Sequence, residues 1–331
     1  MFCEIPCENS GDFRPCALGI SGKSVDFKYV SHRIYNGAEK IKGLPCSDGD
    51  GAESLEIIFS DKIEGVSLRF TYAVYFDCDI ISRRAEIINN SRSELRINKA
   101  AYSLDLYGRD YDLLELYGTY YRERAEVQRT PLKFGFQGSF SHKGASGHES
   151  NPFIAVCENS ADEQKGRAYG FNLVYSGNFD SGAYVDKTGN TRVLTGISEY
   201  GFDWRLGSGE SFALPESVVT FSSSGIGGMS RNFHDFIRGH IVPKRFAFSH
   251  RPVAVNTWEA AYFNVNEAEV LSMALAAKDI GAELVVLDDG WFRANDKEGL
   301  GDWCLEESSK TSGHTHRQEN TRFPTKFMLT A

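Results

Sequence analysis

The sequence lacks any apolar run long enough to cross a bilayer, since no stretch of about 18 consecutive apolar residues occurs in the chain. The opening residues, MFCEIPCENSGDFRP, lack a basic segment followed by an apolar core, so we expect no secretory signal there. Basic residues are in deficit, with 36 Lys+Arg against 45 Asp+Glu and a net charge of −9. We therefore expect no nucleic acid and no membrane partner, because both favour basic surfaces.

Cysteine is also sparse, with seven residues of 331, an odd number with no CxxC motif. This excludes a dense disulfide framework and predicts free thiols in a reducing, cytoplasmic compartment. The sequence contains no GxGxxG motif, phosphate-binding loop or HExxH motif. Cys304, His314 and His316 match no common metal-ligand spacing, so we expect no cofactor and no metal site.

What the sequence has in quantity is β-forming residues and turns, with 23 Phe, 15 Tyr and 32 Gly. Segments of alternating polarity recur between Val25 and Ser222, separated by Asn- and Gly-rich turns. They include residues 54–59, 66–76, 80–88, 96–106 and 169–175. The pattern predicts a mainly β fold, a large antiparallel β-sandwich spanning residues 1–224.

After residue 223 the spacing of apolar residues changes from the alternation of a strand to the period of a helix. Apolar residues from Ile226 to Ile237 fall at helical spacing and predict a connecting helix within a linker of residues 225–250. A βαβ pattern follows over residues 251–307, with strands predicted at 252–256 and 283–288 and a loop at 257–265 between the first strand and the helix. Asn266 is a suitable N-cap for that helix and Gly281 is placed to end it. Residues 308–331 have no period, so we expect them to lack regular structure.

The second predicted strand ends in two adjacent carboxylates, Asp288 and Asp289, followed by Gly290 and Trp291. Polar residues at the end of a buried strand are typical of the ligand-binding edge of an α/β sheet or barrel. Carboxylates accept hydrogen bonds from sugar hydroxyls, and aromatic rings cover the apolar face of a sugar. The alternative is that one carboxylate caps a turn while the other is solvated.

Trp258 follows the first strand of this pattern at the same expected edge, where it is a candidate sugar platform or an ordinary packed tryptophan. Adjacent strand residues point to opposite faces, so the two aspartates converge on one ligand only if the chain turns there. Their adjacency also makes them unsuitable as the two catalytic carboxylates of a glycosidase, which flank the scissile bond roughly 5–10 Å apart.

Motifs distributed between Gly11 and Asp302 resemble those of the bacterial α-galactosidases of glycoside hydrolase family 36. The most specific are RPVAVNTWEAAYF at 251–263, VLDDGWF at 286–292 and LGDW at 300–303. Supporting motifs are GDFRP at 11–15, SHRIYNG at 31–37, GLP at 43–45, YRER at 121–124, NPF at 151–153, YSGNF at 175–179, PE at 215–216 and MSRNFH at 229–234.

The resemblance implies an N-terminal β-supersandwich followed by a catalytic (β/α)8 barrel, of which this chain carries the first βαβ. It implies retaining hydrolysis of terminal α-galactosides such as raffinose and melibiose, without a cofactor. Asp288, Asp289 and Trp258 then bind the sugar. Tyr120 stands where the family typically has a Trp that lines a neighbouring subunit's pocket, since family members are often homotetramers.

The chain departs from the family in having neither of its catalytic motifs. The family's nucleophile lies in a KWDxNR-like motif and its acid/base follows a Cys-Ser-Gly-rich stretch, and neither occurs here. We therefore expect no catalytic residue in this chain, which corresponds to a part of the family's length. Two alternatives stay open, a β-sandwich module that binds carbohydrate or mediates assembly, and one half of a split enzyme.

Overall fold

The structure, a computed structural model, describes residues 5–289, residue 291 and the backbone strand at 326–329, apart from the side chains of residues 123–125. Two compact units divide the chain, Met1–Ala247 and Phe248–Ala331. The connecting helix lies within the first of these units. No helix among the described residues is both long and apolar enough to cross a membrane.

The first unit contains antiparallel strands in two sheets. The smaller sheet has the order β1-β6-β13-β12, with β14 also paired to β6. Its strands are β1 (Leu18–Ile20), β6 (Leu95–Leu106), β12 (Phe179–Val185), β13 (Thr191–Ile197) and β14 (Trp204–Leu206).

The larger sheet has the order β2-β3-β4-β5-β16-β11-β10-β7-β8, with β15 also paired to β5. Its strands are β2 (Lys28–Asn36), β3 (Glu53–Asp61), β4 (Val66–Tyr75), β5 (Ile80–Asn89), β7 (Tyr111–Thr119), β8 (Arg122–Pro131), β10 (Ser150–Glu158), β11 (Ala168–Val174), β15 (Ser211–Ala213) and β16 (Glu216–Ser222). A further strand, β9, covers Gly135–Ser141. The predicted antiparallel sandwich is confirmed, with strand bounds close to those expected from alternation.

The two sheets share a buried core. Phe70 of β4 and Tyr102 of β6 belong to the same apolar cluster, with ring centroids 6.0 Å apart. Phe179 and Leu194 of the smaller sheet join that cluster. Alternation along each strand thus directs one set of side chains between the sheets, as a sandwich requires.

The other face of the larger sheet is covered by helix α1 (Gly225–Phe236). Met229, Phe233 and Phe236 are buried, and the Phe236 ring meets that of Tyr75 edge-on at 5.0 Å. Gly170 of β11 permits this close approach, because a Cβ there would lie 2.4 Å from Phe233 Cε2. Helix α1 continues directly into a π-helical turn over Ile237–Ile241. A short helix, α2 (Lys244–Ala247), follows.

The strands of the second unit form a parallel sheet. Strand β17 (Ala254–Asn256) pairs in parallel with β18 (Leu284–Leu287), which pairs in parallel with β19 (Lys326–Leu329). Between β17 and β18 lie α3 (Trp258–Ala261) and α4 (Glu267–Asp279). Val255, Ala274, Ala277 and Val285 form its apolar cluster together with Ala282. The described residues include the predicted βαβ unit but no closed barrel.

Two elements of this unit differ from expectation. The predicted loop at 257–265 contains α3, which at four residues is too short to show a helical period in the sequence. The final segment was expected to lack regular structure, yet Lys326–Leu329 forms a strand whose backbone groups pair with those of β18. Residues 308–325 lie outside the described residues.

The sandwich also buries an ion pair at the start of β16. Glu216 is fully buried, and its Oε1 accepts a hydrogen bond from Arg84 Nη2 at 2.8 Å. Its Oε2 accepts from the Ser47 backbone N–H at 2.7 Å, and Ser82 also donates to it. Burial disfavours the charged form of Arg84, but the attraction and hydrogen bonds of Glu216 favour it more strongly. The pKa of the guanidinium is therefore raised above its ordinary value. One carboxylate thus joins β5, β16 and the loop after β2.

We predict that Glu216→Gln lowers the free energy of unfolding by about 3–5 kcal/mol, because it leaves the Arg84 charge buried without a counter-charge. The control is Asp203→Asn, which breaks the exposed ion pair with Arg96 and should cost less than about 1 kcal/mol. Urea denaturation followed by far-ultraviolet circular dichroism measures both. Equal losses in the two variants would contradict the assigned role of Glu216.

Candidate functional site

The candidate site lies at the carboxyl ends of β17 and β18. The parallel register pairs Ala254 with Leu284 and Asn256 with Val286, so the residues after each strand emerge at one edge. Thr257 and Trp258 follow β17, and Asp288 and Asp289 follow β18. This agrees with the common edge expected from the sequence for Trp258 and the two aspartates.

Asp288 is held by groups from the neighbouring strand. Its Oδ2 accepts a hydrogen bond from Asn256 Nδ2 at 2.6 Å, and its backbone N–H donates to Thr257 Oγ1 at 3.0 Å. Thr257 is itself buried, and its backbone N–H donates to the Val286 carbonyl at 3.0 Å. The side chain of Asp288 is therefore oriented before any ligand arrives.

Asp289 turns away from the strand immediately after Asp288. Its backbone N–H donates to Asp288 Oδ1 at 2.9 Å, and residue 289 lies in a turn. Both carboxylates are half-buried. Gly290 lies outside the described residues, together with Cys304, His314 and His316.

Trp258 begins α3 and is half-buried beside other aromatic rings. Its backbone N–H donates to Asn256 Oδ1 at 2.7 Å, so one amide side chain contacts both the Trp258 and the Asp288 segments. The indole meets Tyr262 and Phe263 edge-on, at ring-centroid distances of 5.3 and 5.0 Å. Tyr262 has φ of 48°, which a non-glycine residue adopts only at an energetic cost.

Two residues that hold the site together were not selected from the sequence. Asn256 and Thr257 lie within the RPVAVNTWEAAYF motif, and both are polar: Asn256 ends β17 and Thr257 follows it. Their position was the available signal, because polar residues at the carboxyl end of a parallel strand share the edge where ligands bind.

Tyr120 belongs to the first unit, where it lies in the turn between β7 and β8. Its side chain is 62% exposed, and its ring lies 4.1 Å from that of Tyr121. The turn therefore displays two adjacent aromatic rings to solvent.

The hydroxyl of Thr257 gives a test of the site's architecture. We predict that Thr257→Val speeds hydrogen exchange at the Asp288 amide by about 5- to 150-fold, because the amide loses its acceptor, at a cost of about 1–3 kcal/mol. Thr257→Ser keeps the hydroxyl and should leave the rate near that of the unaltered chain. Hydrogen exchange measured by NMR resolves the site, and equal rates in both variants would exclude this hydrogen bond as the restraint.

Family models match most of the chain. A model of the glycosyl hydrolase family 36 N-terminal domain covers residues 1–207, and a melibiase model covers residues 211–321. The matches begin before Gly11 and extend past Asp302, so the resemblance reaches further in both directions than the motifs indicated.

Curated relatives and solved structures support the same family as the family models. Alpha-galactosidase AgaA of Geobacillus stearothermophilus is 39% identical over 94% of this chain and 44% of its own length. Alpha-galactosidase 2 of Hypocrea jecorina is 39% identical over 91% of this chain and 42% of its own length. The alpha-galactosidase of Lactobacillus brevis, at 36% identity, superposes with a TM-score of 0.89 over 94% of this chain and 43% of that one.

Variants of AgaA have been solved in complex with stachyose and with raffinose. The chain spans less than half the length of these relatives. The strands of the sandwich, the helix that follows them, and β17, α4 and β18 all fall within the matched regions. The chain belongs to glycosyl hydrolase family 36.

Proposed function

We propose that this chain is the N-terminal part of an α-galactosidase and that its second unit supplies sugar-binding groups of the active site. The observation that carries the proposal is the pre-oriented Asp288, bonded at 2.6 Å to Asn256 at the shared edge of β17 and β18. The substrates are terminal α-galactosides of the raffinose type, the class bound in the AgaA complexes.

In this proposal Asp288 and Asp289 accept hydrogen bonds from hydroxyls of the galactose ring. One oxygen of Asp288 accepts a hydrogen bond from Asn256 and the other accepts one from the Asp289 amide. Each carboxylate oxygen has a further lone pair that can accept a hydrogen bond from the sugar. Two half-buried carboxylates joined by a turn present acceptors in different directions, which suits vicinal hydroxyls. Trp258 supplies an apolar face for the ring, since its indole is fixed by neighbouring aromatic groups.

The catalytic aspartates of the complete enzyme lie, on this proposal, outside these residues. The family's nucleophile and acid/base motifs are absent from the sequence, and adjacent Asp288 and Asp289 cannot flank a glycosidic bond. We also propose that the complete protein is cytoplasmic and homo-oligomeric, with Tyr120 reaching a neighbouring subunit. Its exposure at the tip of a hairpin supports that role.

A carbohydrate-binding or assembly sandwich without catalysis is the competing function, and a split enzyme completed by a second polypeptide is another. The second unit favours an enzyme in either form, because a sandwich module has no need of an oriented carboxylate on a separate parallel sheet. The same sandwich is compatible with each function, so the distinction depends on the site and not on the fold.

The first functional prediction concerns turnover. The 331-residue chain should not hydrolyse an aryl α-galactoside, because losing nucleophile and acid/base removes nearly all of a rate enhancement of about 10⁶-fold or more. Release of the aryl group is measured through successive purification steps. Activity that copurifies with the chain and disappears in Asp288→Asn would overturn the assignment of catalysis to residues elsewhere.

The second functional prediction concerns the affinity of the chain for galactose. We predict that the 331-residue chain binds galactose more weakly than about 1 mM, or about −4 kcal/mol, because two strands enclose only part of a sugar. Titration calorimetry measures the affinity, with glucose as the control sugar. Micromolar galactose binding would show that the pocket is completed within this chain or by its self-association.

A further inference from the structure

A cluster of three chemically different side chains lies in the first unit and includes none of the residues assigned to sugar binding. Asp77 and Cys78 belong to the turn of residues 76–79 between β4 and β5, and His240 lies in the π-helical turn after α1. One carboxylate oxygen, Sγ and one imidazole nitrogen lie within 4.8 Å of one another. Residues about 160 positions apart thus bring oxygen, sulfur and nitrogen donors to one point.

The imidazole of His240 is fixed on every side. It is 7% exposed, with its ring 4.5 Å from that of Tyr75 and 5.6 Å from that of Phe236. Nδ1 lies 3.2 Å from Asp48 Oδ1, while Nε2 faces the cluster at 3.2 Å from Asp77 Oδ2. A carboxylate on the remote nitrogen is the usual partner of a metal-ligating histidine, because it fixes the ring and its tautomer.

Asp48 is itself held in place. Its backbone N–H donates to the His240 carbonyl at 2.9 Å, and its Oδ2 lies 3.0 Å from Lys244 Nζ. The Asp48 carboxylate that faces His240 Nδ1 is therefore held in place by contacts with both His240 and Lys244.

The other side of the cluster is reachable from solvent. Cys78 is 6% exposed, whereas the side chain of Asp77 is 68% exposed and forms the outer edge. An incoming cation meets Asp77 first and the two buried donors behind it.

We propose that Asp77 Oδ, Cys78 Sγ and His240 Nε2 form a binding site for a divalent transition-metal cation of the zinc class, with water as the fourth ligand. Mixed carboxylate, thiolate and imidazole ligands suit Zn²⁺, which prefers four ligands in a tetrahedron. On binding, the thiol loses its proton to water as the sulfur–metal bond forms, and Nε2 binds without a hydrogen. The metal would tie the π-helical turn to the β4–β5 turn.

Co²⁺ provides the test, because a thiolate bound to Co²⁺ gives a charge-transfer absorption that an oxygen or nitrogen ligand does not. The metal-free 331-residue chain is titrated with Co²⁺ and then with Zn²⁺. We expect one equivalent of Co²⁺ to produce the band, Zn²⁺ to abolish it, and Zn²⁺ to raise the melting temperature.

Cys78→Ser should remove the band, while Cys16→Ser, the same one-atom change at a half-buried cysteine elsewhere in the unit, should keep it. Asp48→Asn retains all three ligands and should weaken Co²⁺ binding by about 10- to 100-fold. This variant decides the question even if Cys78→Ser fails to fold. Absence of the band in the unaltered chain, its loss in Cys16→Ser, or unchanged affinity in Asp48→Asn would overturn the proposal.

Discussion

The candidate site depends on one constraint, the parallel in-register pairing of β17 with β18. This register places Asn256 beside Val286, and from there Asn256 reaches Asp288 while Thr257 accepts the Asp288 amide. A slip of one residue would turn every side chain to the opposite face of the strand. Asp288 would then lose both partners, and the apolar cluster of Val255 and Val285 would be broken. The same pairing therefore supports the packing of the second unit and the orientation of its acidic group.

The first unit contains two polar constellations that join distant segments. Glu216 accepts hydrogen bonds from Ser47 in the loop after β2 and from Ser82 and Arg84 of β5. His240 lies between Asp48 and Asp77 in the same way. The first constellation is closed, because its carboxylate is fully buried and its bonds are internal. The second opens to solvent through Asp77, and this difference separates a structural ion pair from a site able to accept a cation.

Local patterns predicted local structure well. Alternation gave the bounds of β4 within one residue, and Asn266 caps α4 through the Glu269 amide as its residue type indicated. The common edge of Trp258 and Asp288 followed from two short apolar runs. The position of Asn256 at the carboxyl end of β17 was a usable signal for its contact with Asp288. The role of His240 could not be predicted, because its partner Asp77 is 163 residues away and no local pattern joins the two. The single turn of α3 and the four residues of β19 were too short to give a periodic signal.

The most direct test joins residues 1–291 of this chain to the part of AgaA that follows the matching position. The chimera restores the remainder of a related enzyme while keeping Asp288, Asp289 and Trp258 from this chain. Our account predicts raffinose hydrolysis by the folded chimera and a loss of at least about 100-fold in kcat/KM in Asp288→Asn, or about 2.7 kcal/mol. It predicts little change in the control Asp203→Asn, which alters an exposed ion pair of the first unit. A folded chimera without hydrolysis, or one whose activity is unaffected by Asp288→Asn, would contradict the assignment of the sugar-binding site.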